Sequence, residues 1–344
     1  MFLPNMKSGF HTLFSTGRIT RAALQEQQLC IREVHERLRP YLASPDDTPP
    51  EFAVRPEPLP DSWLGWRKNL FSTLFQSVYH LMDIPLPRRL LYGQMIHLFR
   101  IWVTSADNLL DEEDKVVVPI SMPGSARIMR QVVAVMAADR VLAGLLNEAV
   151  SKGILTELQR AALSRESLCR LLPSAAQEAT EEGGITVRPP PEEVLNVIHR
   201  LKTGLLFNLA FVGPDIAEPS FRSPRTDRLR EGLMTFGLGC QVLDDIRDMA
   251  RDLLEQRHNY VLSVLAHQHP TLLEQLVHHA KTPADRLYLA VPHVVLPAAR
   301  HGLELLASGL RTLGEAGLGC TGGQAETMAR AMFPLLDLAD LQYG

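Results

Sequence analysis

Two clusters of acidic residues have the side chains and the spacing for chemistry, and each follows a long apolar run. The stretch SADNLLDEEDK (105–115) comes directly after MIHLFRIWV, and QVLDDIRDMARD (241–252) carries its acids directly after Leu243. Because residues four apart in a helix share a face, Asp107 projects with Asp111. The same spacing relates three acids of the second cluster, which are Asp244, Asp248 and Asp252.

Carboxylates stacked on one helix face repel one another unless a cation compensates them. Hard oxygen ligands suit Mg²⁺, which keeps several waters and is commonly completed by substrate phosphates. A single acidic cluster is usually a solvated helix end, but two clusters that each follow a strongly apolar helix are harder to explain in that way. No glycine follows in the pattern of a calcium-binding loop. The pair therefore predicts a site for metal ions that bridge to a diphosphate.

The elements that must position these acids are helices. Apolar residues recur with helical spacing through most of the chain, and we find no alternating pattern typical of strands. Segment 88–110 is apolar almost all round, so it is predicted to be a buried helix that carries the first cluster. Segments 191–212 and 226–255 are further predicted helices, and the second cluster falls within the latter. The pattern predicts an all-α protein.

A proline-rich stretch, residues 43–62, interrupts this pattern. It carries six prolines, which favour an extended linker. We therefore expect an N-terminal helix and linker over residues 1–62 and a helical catalytic domain over residues 63–344.

The composition excludes several classes of function. Hydrophobic residues make up 46% and charged residues 22%, and the net charge of −4 gives no sign of a nucleic-acid partner. The four cysteines lie far apart without a CxxC pair, so neither a zinc knuckle nor a disulfide framework is indicated. No stretch approaches the roughly 18–20 uninterrupted apolar residues of a membrane span, and the N-terminal segment lacks the apolar core of a secretory signal. We expect a cytoplasmic protein without stable membrane insertion.

Several segments resemble, in order, the motifs of trans-isoprenyl diphosphate synthases. DNLLD (107–111) is similar to the first aspartate-rich motif, DD-x-x-D, with Asn108 in place of the second Asp. LKTGLLF (201–207) resembles the Lys-Thr motif, and GLGCQVLDDIRD (237–248) resembles the second aspartate-rich motif, FQ-x-x-DD-x-x-D. RHNYVLSVL (257–265) resembles the basic segment that follows.

The resemblance covers about residues 90–265 and implies the all-helical isoprenoid synthase fold. In that fold the two acidic motifs face each other at the mouth of a central apolar cavity. They bind three Mg²⁺ together with an allylic isoprenyl diphosphate. Carried over to this chain, the resemblance implies that Asp107, Asp111 and Asp244 are metal ligands and catalytic residues, and that Asp248 is a ligand or supports one.

The same resemblance assigns roles to residues outside the aspartates. Lys202, Thr203 and Arg257 would bind the diphosphate, and Lys202 would be catalytic. Gln241 would face the allylic tail. Aromatic side chains can steady a carbocation, and the candidates for the cavity wall are Trp102, Phe99 and Phe207. The bulky Trp102, five residues before Asp107, suggests a substrate of C10 to C20.

One departure from the family pattern bears on the reaction. Chain-elongating members carry an Arg-Arg-Gly soon after the first motif and a Gly-Lys-Arg segment upstream, and we find neither in this sequence. A second diphosphate needs several donors to hold it. The departure therefore favours a class I terpene synthase, which ionises one allylic diphosphate and releases diphosphate and a terpene.

Two alternatives stay open. A trans-prenyltransferase that condenses isopentenyl diphosphate could build its second site from other arginines, namely Arg88, Arg89, Arg127 and Arg130. A non-catalytic partner subunit also occurs in this superfamily, although such subunits commonly lose aspartates that both motifs keep here. The hydrophobic helix faces are compatible with a homodimer.

Overall fold

The computed structural model describes Phe10, Leu13 and residues 17–218 and 221–341. Residues 1–9, on which the expectation about the N-terminal segment partly rests, lie outside the described residues. The α-helices, in chain order, are α1 (Arg18–Leu38), α2 (Leu70–Leu81), α3 (Leu86–Leu110), α4 (Arg127–Ser151), α5 (Glu157–Cys169), α6 (Leu172–Ala179), α7 (Pro191–Glu193), α8 (Leu205–Asn208), α9 (Val212–Ala217), α10 (Pro224–Arg247), α11 (Met249–Leu254), α12 (Tyr260–Gln268), α13 (Pro270–His279), α14 (Pro292–Leu313) and α15 (Gly322–Leu335).

Short elements complete the chain. Two antiparallel strands of two residues each, β1 (Arg55–Pro56) and β2 (Ile120–Ser121), pair with each other. Single turns of 3₁₀ helix lie at Arg39–Tyr41, Pro50–Phe52, Asp61–Leu64, Leu209–Phe211 and Leu287–Leu289. Turns of π-helix lie at Val194–Ile198, Arg200–Gly204 and Gly314–Leu318. The prediction of an all-α protein is confirmed.

The chain divides into two compact units. Of the described residues, the first unit comprises those within 14–167 and 209–221, and the second comprises those within 1–13, 168–208 and 222–344. The predicted boundary at residue 62 falls inside the first unit, where Gln28 Nε2 donates to Leu64 O at 2.9 Å. The separate catalytic domain over residues 63–344 stays a prediction.

The first unit is built around α3, which carries the first acidic motif at its C-terminal end. Pro87 in the first turn suits a helix start, because proline lacks the N–H that would have no partner there. Nearly all faces of α3 between Leu91 and Ile101 are buried, as its apolar sequence predicts, and α1, α2 and α4 pack on it. The Tyr79 hydroxyl of α2 donates to Ala210 O at 2.7 Å and so ties segment 209–221 to this unit.

The second unit is built on the packing of α10 against α14, which brings backbone against backbone. A Cβ atom added at Gly309 would lie 2.5 Å from Phe236 N and 2.7 Å from Gly232 O. One added at Gly239 would lie 2.7 Å from Leu306 N. Only glycine permits this approach, and the contact fixes the rotation of α10 about its axis.

Helix α10 begins and ends differently from the predicted helix over 226–255. It begins at Pro224, and the Ser223 side chain caps it by accepting from Thr226 N at 3.2 Å. It ends at Arg247, because Asp248 leaves the helical conformation with φ −92° and ψ 12° before α11 begins. The prediction of one continuous helix is therefore wrong at the second acidic motif.

Within the described residues, no helix combines the length and the hydrophobicity that crossing a membrane requires. The expected cytoplasmic location and the homodimer stay predictions.

The close approach of α10 and α14 leads to a stability prediction. We expect Gly309→Ala to lower the free energy of unfolding by about 2–3 kcal/mol, because the new methyl group meets backbone atoms that cannot rotate away. Urea denaturation measures the change. The control is Gly144→Ala in α4, where an added Cβ meets nothing within 4 Å, and which we expect to raise stability by up to about 1 kcal/mol. Equal changes in the two variants would contradict the close approach.

Candidate active site

One arginine joins the acidic residues at the C-terminal end of α10. Arg247 Nη2 lies 2.5 Å from Asp244 Oδ1. The same guanidinium donates to both oxygens of Asp248, through Nε at 2.8 Å and Nη2 at 2.7 Å. The side chains of Asp244, Arg247 and Asp248 keep 36%, 33% and 21% of their surfaces exposed, so solvent reaches all three. Arg247 therefore compensates the like charges that the spacing of the acids brings together.

The protein environment changes the ionisation of this group. Burial among protein atoms raises the pKa of Asp244, the positive charge of Arg247 opposes the rise and the charge of Asp248 adds to it, so that the pKa reaches about 6. Burial alone would lower the pKa of Arg247, but its bonds with Asp248 and the charge of Asp244 raise it above the ordinary value. The guanidinium therefore stays charged wherever the acids are ionised.

Asp245, the next residue, is structural. It is 2% exposed, and its carboxylate accepts from Gln241 Nε2 at 2.9 Å and from Tyr260 N at 2.5 Å. Its Oδ2 also lies 2.9 Å from His199 Nε2. These contacts tie the end of α10 to the start of α12 and to His199, which lies between two turns of π-helix.

A second anchor comes from Asn259, which caps α12. Its side-chain oxygen accepts from Leu262 N at 3.0 Å, and its Nδ2 donates to Asp245 O at 2.6 Å and to Asp252 Oδ2 at 2.7 Å. Burial raises the pKa of Asp252 well above its ordinary value. Asp252 is therefore held by the cap of α12, whereas Asp244 and Asp248 are held by Arg247.

The predicted diphosphate-binding cations of the second unit meet a carboxylate that the sequence analysis missed. Lys202 Nζ lies 3.1 Å from Glu178 Oε1, and Arg257 Nη1 lies 4.0 Å from Glu178 Oε2. Burial alone would lower the pKa of Lys202, but Glu178, Glu181 and Asp252 outweigh it and raise the pKa above the ordinary value. Lys202 is therefore a permanent cation. Glu178 gave no signal in the sequence beyond belonging to a run of acids.

Turns of π-helix position the Lys-Thr segment beside α10. The Thr203 hydroxyl donates to Gln241 Oε1, whose Nε2 in turn donates to Asp245. A Cβ added at Gly204 would overlap the sulfur of Met234 at 2.3 Å, so the segment lies directly on α10. The second unit thus brings together six of the predicted residues: Lys202, Thr203, Gln241, Asp244, Asp248 and Arg257.

The first acidic motif, in the first unit, lies at the end of α3. Asp111 caps the C-terminal end of α3, and its N–H donates to Asp107 O at 2.8 Å, so the two acids lie one turn apart. Asp107 is exposed and Asp111 is half-buried. Asn108, between them, is only 1% exposed, and its Nδ2 donates to Lys115 O at 2.8 Å. The departure from DD-x-x-D therefore lies at a position that holds the following loop.

The aromatic candidates pack within their own units. Phe99 and Trp102 of α3 lie with ring centroids 5.6 Å apart, and Phe99 is 2% exposed. Phe207 is 6% exposed and meets the edge of Phe236, with centroids 6.2 Å apart. The indole N–H of Trp102 is buried without a hydrogen-bond partner among the described residues. Packing accounts for Phe99 and Phe207, and their place in a cavity wall stays a prediction.

Three of the arginines considered for a second diphosphate site already have protein partners. Arg88 donates to Ala217 O at 3.0 Å and to Glu218 at 2.8 Å. Arg89 Nη2 donates to Glu26 at 2.7 Å, and Arg130 Nη1 donates to Asp114 at 3.0 Å.

The donor sets of the two motifs differ in their fit to a metal ion. At the first motif, two carboxylates on consecutive turns have the hard oxygens that Mg²⁺ prefers. At the second motif, both carboxylates are bonded to Arg247. Across the part of the chain that the structure describes, no three His, Cys, Asp or Glu side chains are grouped so as to hold a metal ion. Both motifs therefore offer oxygen ligands of the kind that magnesium prefers, and at the second motif the ion would have to displace Arg247.

Comparison with known proteins finds likeness in structure alone. No family model matches the chain, and no curated protein sequence matches it. The geranylgeranyl pyrophosphate synthetase of Pyrococcus horikoshii has a TM-score of 0.59 at 16% identity, over 95% of this chain and 98% of that one. The decaprenyl diphosphate synthase of Rhodobacter capsulatus has a TM-score of 0.59 at 14% identity, over 95% and 99%. An FPP/GFPP synthase of Zymomonas mobilis has a TM-score of 0.53 at 16% identity, over 90% and 98%.

Identities of 14–16% establish a fold and no more. The likeness extends over 90–95% of this chain and 98–99% of each of the other three. This chain has the all-α fold that these prenyl diphosphate synthases share.

Proposed function

We propose that this chain is a trans-prenyltransferase, which ionises an allylic isoprenyl diphosphate with Mg²⁺ and joins the prenyl group to isopentenyl diphosphate. The observation that carries the proposal is the structural likeness to prenyl diphosphate synthases over at least 90% of this chain. Both aspartate-rich motifs keep their outer acids, which supports an active enzyme over a non-catalytic subunit. Of the two reactions that could follow ionisation, we therefore favour transfer of the prenyl group over release of a terpene.

The first motif is the metal-binding part of the proposal. Asp107 and Asp111 offer carboxylates from consecutive turns at the end of α3. Bound there, Mg²⁺ would neutralise the negative charge that collects on the departing diphosphate. Asn108 does not weaken the assignment, because its side chain is buried in the loop that follows.

The cations of the second unit are proposed to hold the diphosphate. Lys202 keeps its charge at any working pH, and 30% of its side chain is exposed. Arg257 lies near both Glu178 and Glu255, so a diphosphate that binds Lys202 and Arg257 must compete with these two carboxylates. Thr203 and Gln241 would orient the substrate, because their mutual hydrogen bond and the buried Asp245 fix both side chains.

The apolar residues near the first motif are proposed to protect the carbocation. A cation freed from its diphosphate reacts with water unless the site excludes it. Trp102 is the strongest aromatic candidate, because it is half-buried and tilted against Phe99 five residues before Asp107. A substrate of C10 to C20 remains our expectation.

A class I terpene synthase is the second candidate, and one observation favours it. The arginines that could replace the missing isopentenyl diphosphate motifs include Arg88 and Arg89, and both are held by carboxylates of their own unit. Freeing either would break a half-buried ion pair. A chain that cannot hold the second diphosphate would ionise one substrate and release a terpene.

Product analysis separates the two candidates. The purified chain would be incubated with Mg²⁺ and geranyl, farnesyl or geranylgeranyl diphosphate, each with and without isopentenyl diphosphate. We expect longer diphosphates only when isopentenyl diphosphate is present. A hydrocarbon or alcohol formed from an allylic substrate alone would instead establish the terpene synthase, and no turnover of any substrate would support the partner subunit.

The metal assignment predicts the effect of removing one carboxylate. We expect Asp107→Asn to lower Mg²⁺-dependent release of diphosphate by on the order of a hundredfold or more, because charge on the leaving group is no longer neutralised. The matched control is Asp47→Asn, an equally conservative change at an exposed residue of the proline-rich stretch. Full activity in Asp107→Asn would remove this residue from the site.

A substitution that restores the family pattern at the first motif should destabilise the protein. Asn108→Asp recreates DD-x-x-D, but its carboxylate would face Lys115 O, where the amide now donates. We expect a loss of about 1–3 kcal/mol in the free energy of unfolding and no fall in the Mg²⁺ concentration needed for activity. The control is Asn147→Asp, which adds the same charge at an exposed position of α4. A variant as stable as the wild type with a lower Mg²⁺ requirement would show that Asn108 can act as a ligand.

A further inference from the structure

Arg247 lies inside the second aspartate-rich motif, where the family pattern DD-x-x-D leaves the residue type open. It is the last residue of α10, between the two acids that the pattern assigns to metal. Its Nη2 contacts Asp244 at 2.5 Å, and its Nε and Nη2 bind both oxygens of Asp248. One guanidinium therefore satisfies both carboxylates of the motif.

This arrangement does what a divalent ion would do between the same two acids. A guanidinium binds carboxylates through a planar set of donors and stays charged at every relevant pH. Mg²⁺ at this motif would have to displace three charge-assisted contacts. It would also have to meet a demanding octahedral geometry. The second motif therefore favours the guanidinium of Arg247 over an added Mg²⁺ ion.

The same guanidinium has donors left for a ligand. An arginine side chain carries five N–H groups, and the contacts with the two aspartates use those of Nε and Nη2. Among the described residues, no hydrogen bond engages the two N–H groups of Nη1. A third of the side chain is exposed, at 33%, and the charge of Asp337 also acts on the guanidinium.

We propose that Arg247 is the built-in cation of the second acidic motif. It takes the place of a divalent ion between Asp244 and Asp248, and its Nη1 donates to an oxygen of the substrate diphosphate. The chain consequently binds one divalent ion fewer than a motif of the same acids without the arginine. This inference rests on the proposed function and assigns Arg247 to binding of the diphosphate.

Counting bound Mn²⁺ tests the proposal without an activity assay. Mn²⁺ replaces Mg²⁺, inorganic diphosphate is present in excess, and electron paramagnetic resonance measures the unbound Mn²⁺. The variant is Arg247→Met, which keeps the apolar stem and removes the charge. The double variant Arg247→Met/Asp244→Asn tests where an added ion binds.

We expect Arg247→Met to bind one Mn²⁺ more per chain than the wild type, and the double variant to lose that ion. The matched control is Arg228→Met, an exposed arginine of the same helix that contacts Pro224 O. Arg228→Met should bind the same number of Mn²⁺ ions per chain as the wild type. Arg247→Gln carries the same expectation and replaces Arg247→Met if circular dichroism shows that the methionine variant is unfolded.

The outcomes separate this proposal from the proposed function. Equal numbers of ions and affinities within twofold in the wild type and Arg247→Met would overturn the role of Arg247 and leave it as a salt bridge at a helix end. No bound Mn²⁺ in the wild type, with one in Arg247→Met, would support the role of Arg247 and count against the metal-dependent function. No bound ion in either would overturn both.

Discussion

The close approach of α10 and α14 is the constraint on which the second unit depends. Glycines replace side chains where the two backbones touch, so α10 cannot rotate without a clash. Successive residues of an α-helix are rotated by about 100° about the helix axis. Viewed along the axis, Asp244 is therefore rotated about 140° from Gly239, and Gln241 is rotated about 200°, which places both on the side of α10 opposite Gly239. The contact therefore turns the chemistry-bearing side chains of α10 away from α14. Packing density thus decides the direction in which the acids point.

A buried carboxylate carries this constraint to the rest of the site. Asp245 binds Gln241 and Tyr260 N, and Asn259 adds a bond to its carbonyl oxygen. Because a buried carboxylate is stable only when its oxygens are satisfied, the contacts with Gln241 and Tyr260 N stabilise Asp245 in its buried position. They fix the start of α12 and the position of Gln241, which in turn holds Thr203. One aspartate of the motif is thereby used for structure and its neighbour Asp244 remains for chemistry.

The charged residues of the candidate site in the second unit already have partners within that unit. Arg247 bridges Asp244 and Asp248, while Glu178 lies between Lys202 and Arg257. A diphosphate that binds here exchanges existing ion pairs for new ones, so part of its binding energy goes to separating them. Such an exchange favours a ligand with several negative charges over a single carboxylate or a neutral molecule.

The sequence by itself determined the all-α class, the helices that carry the acids and most of the candidate residues, because helical spacing and motif order are local properties. The burial of Asn108 and the pairing of Lys202 with Glu178 depended on contacts between residues distant in the chain. Glu178 lies 24 residues from Lys202, so no local pattern relates them. Only the tertiary structure decided which acids meet solvent, because burial and ion pairing arise when helices pack.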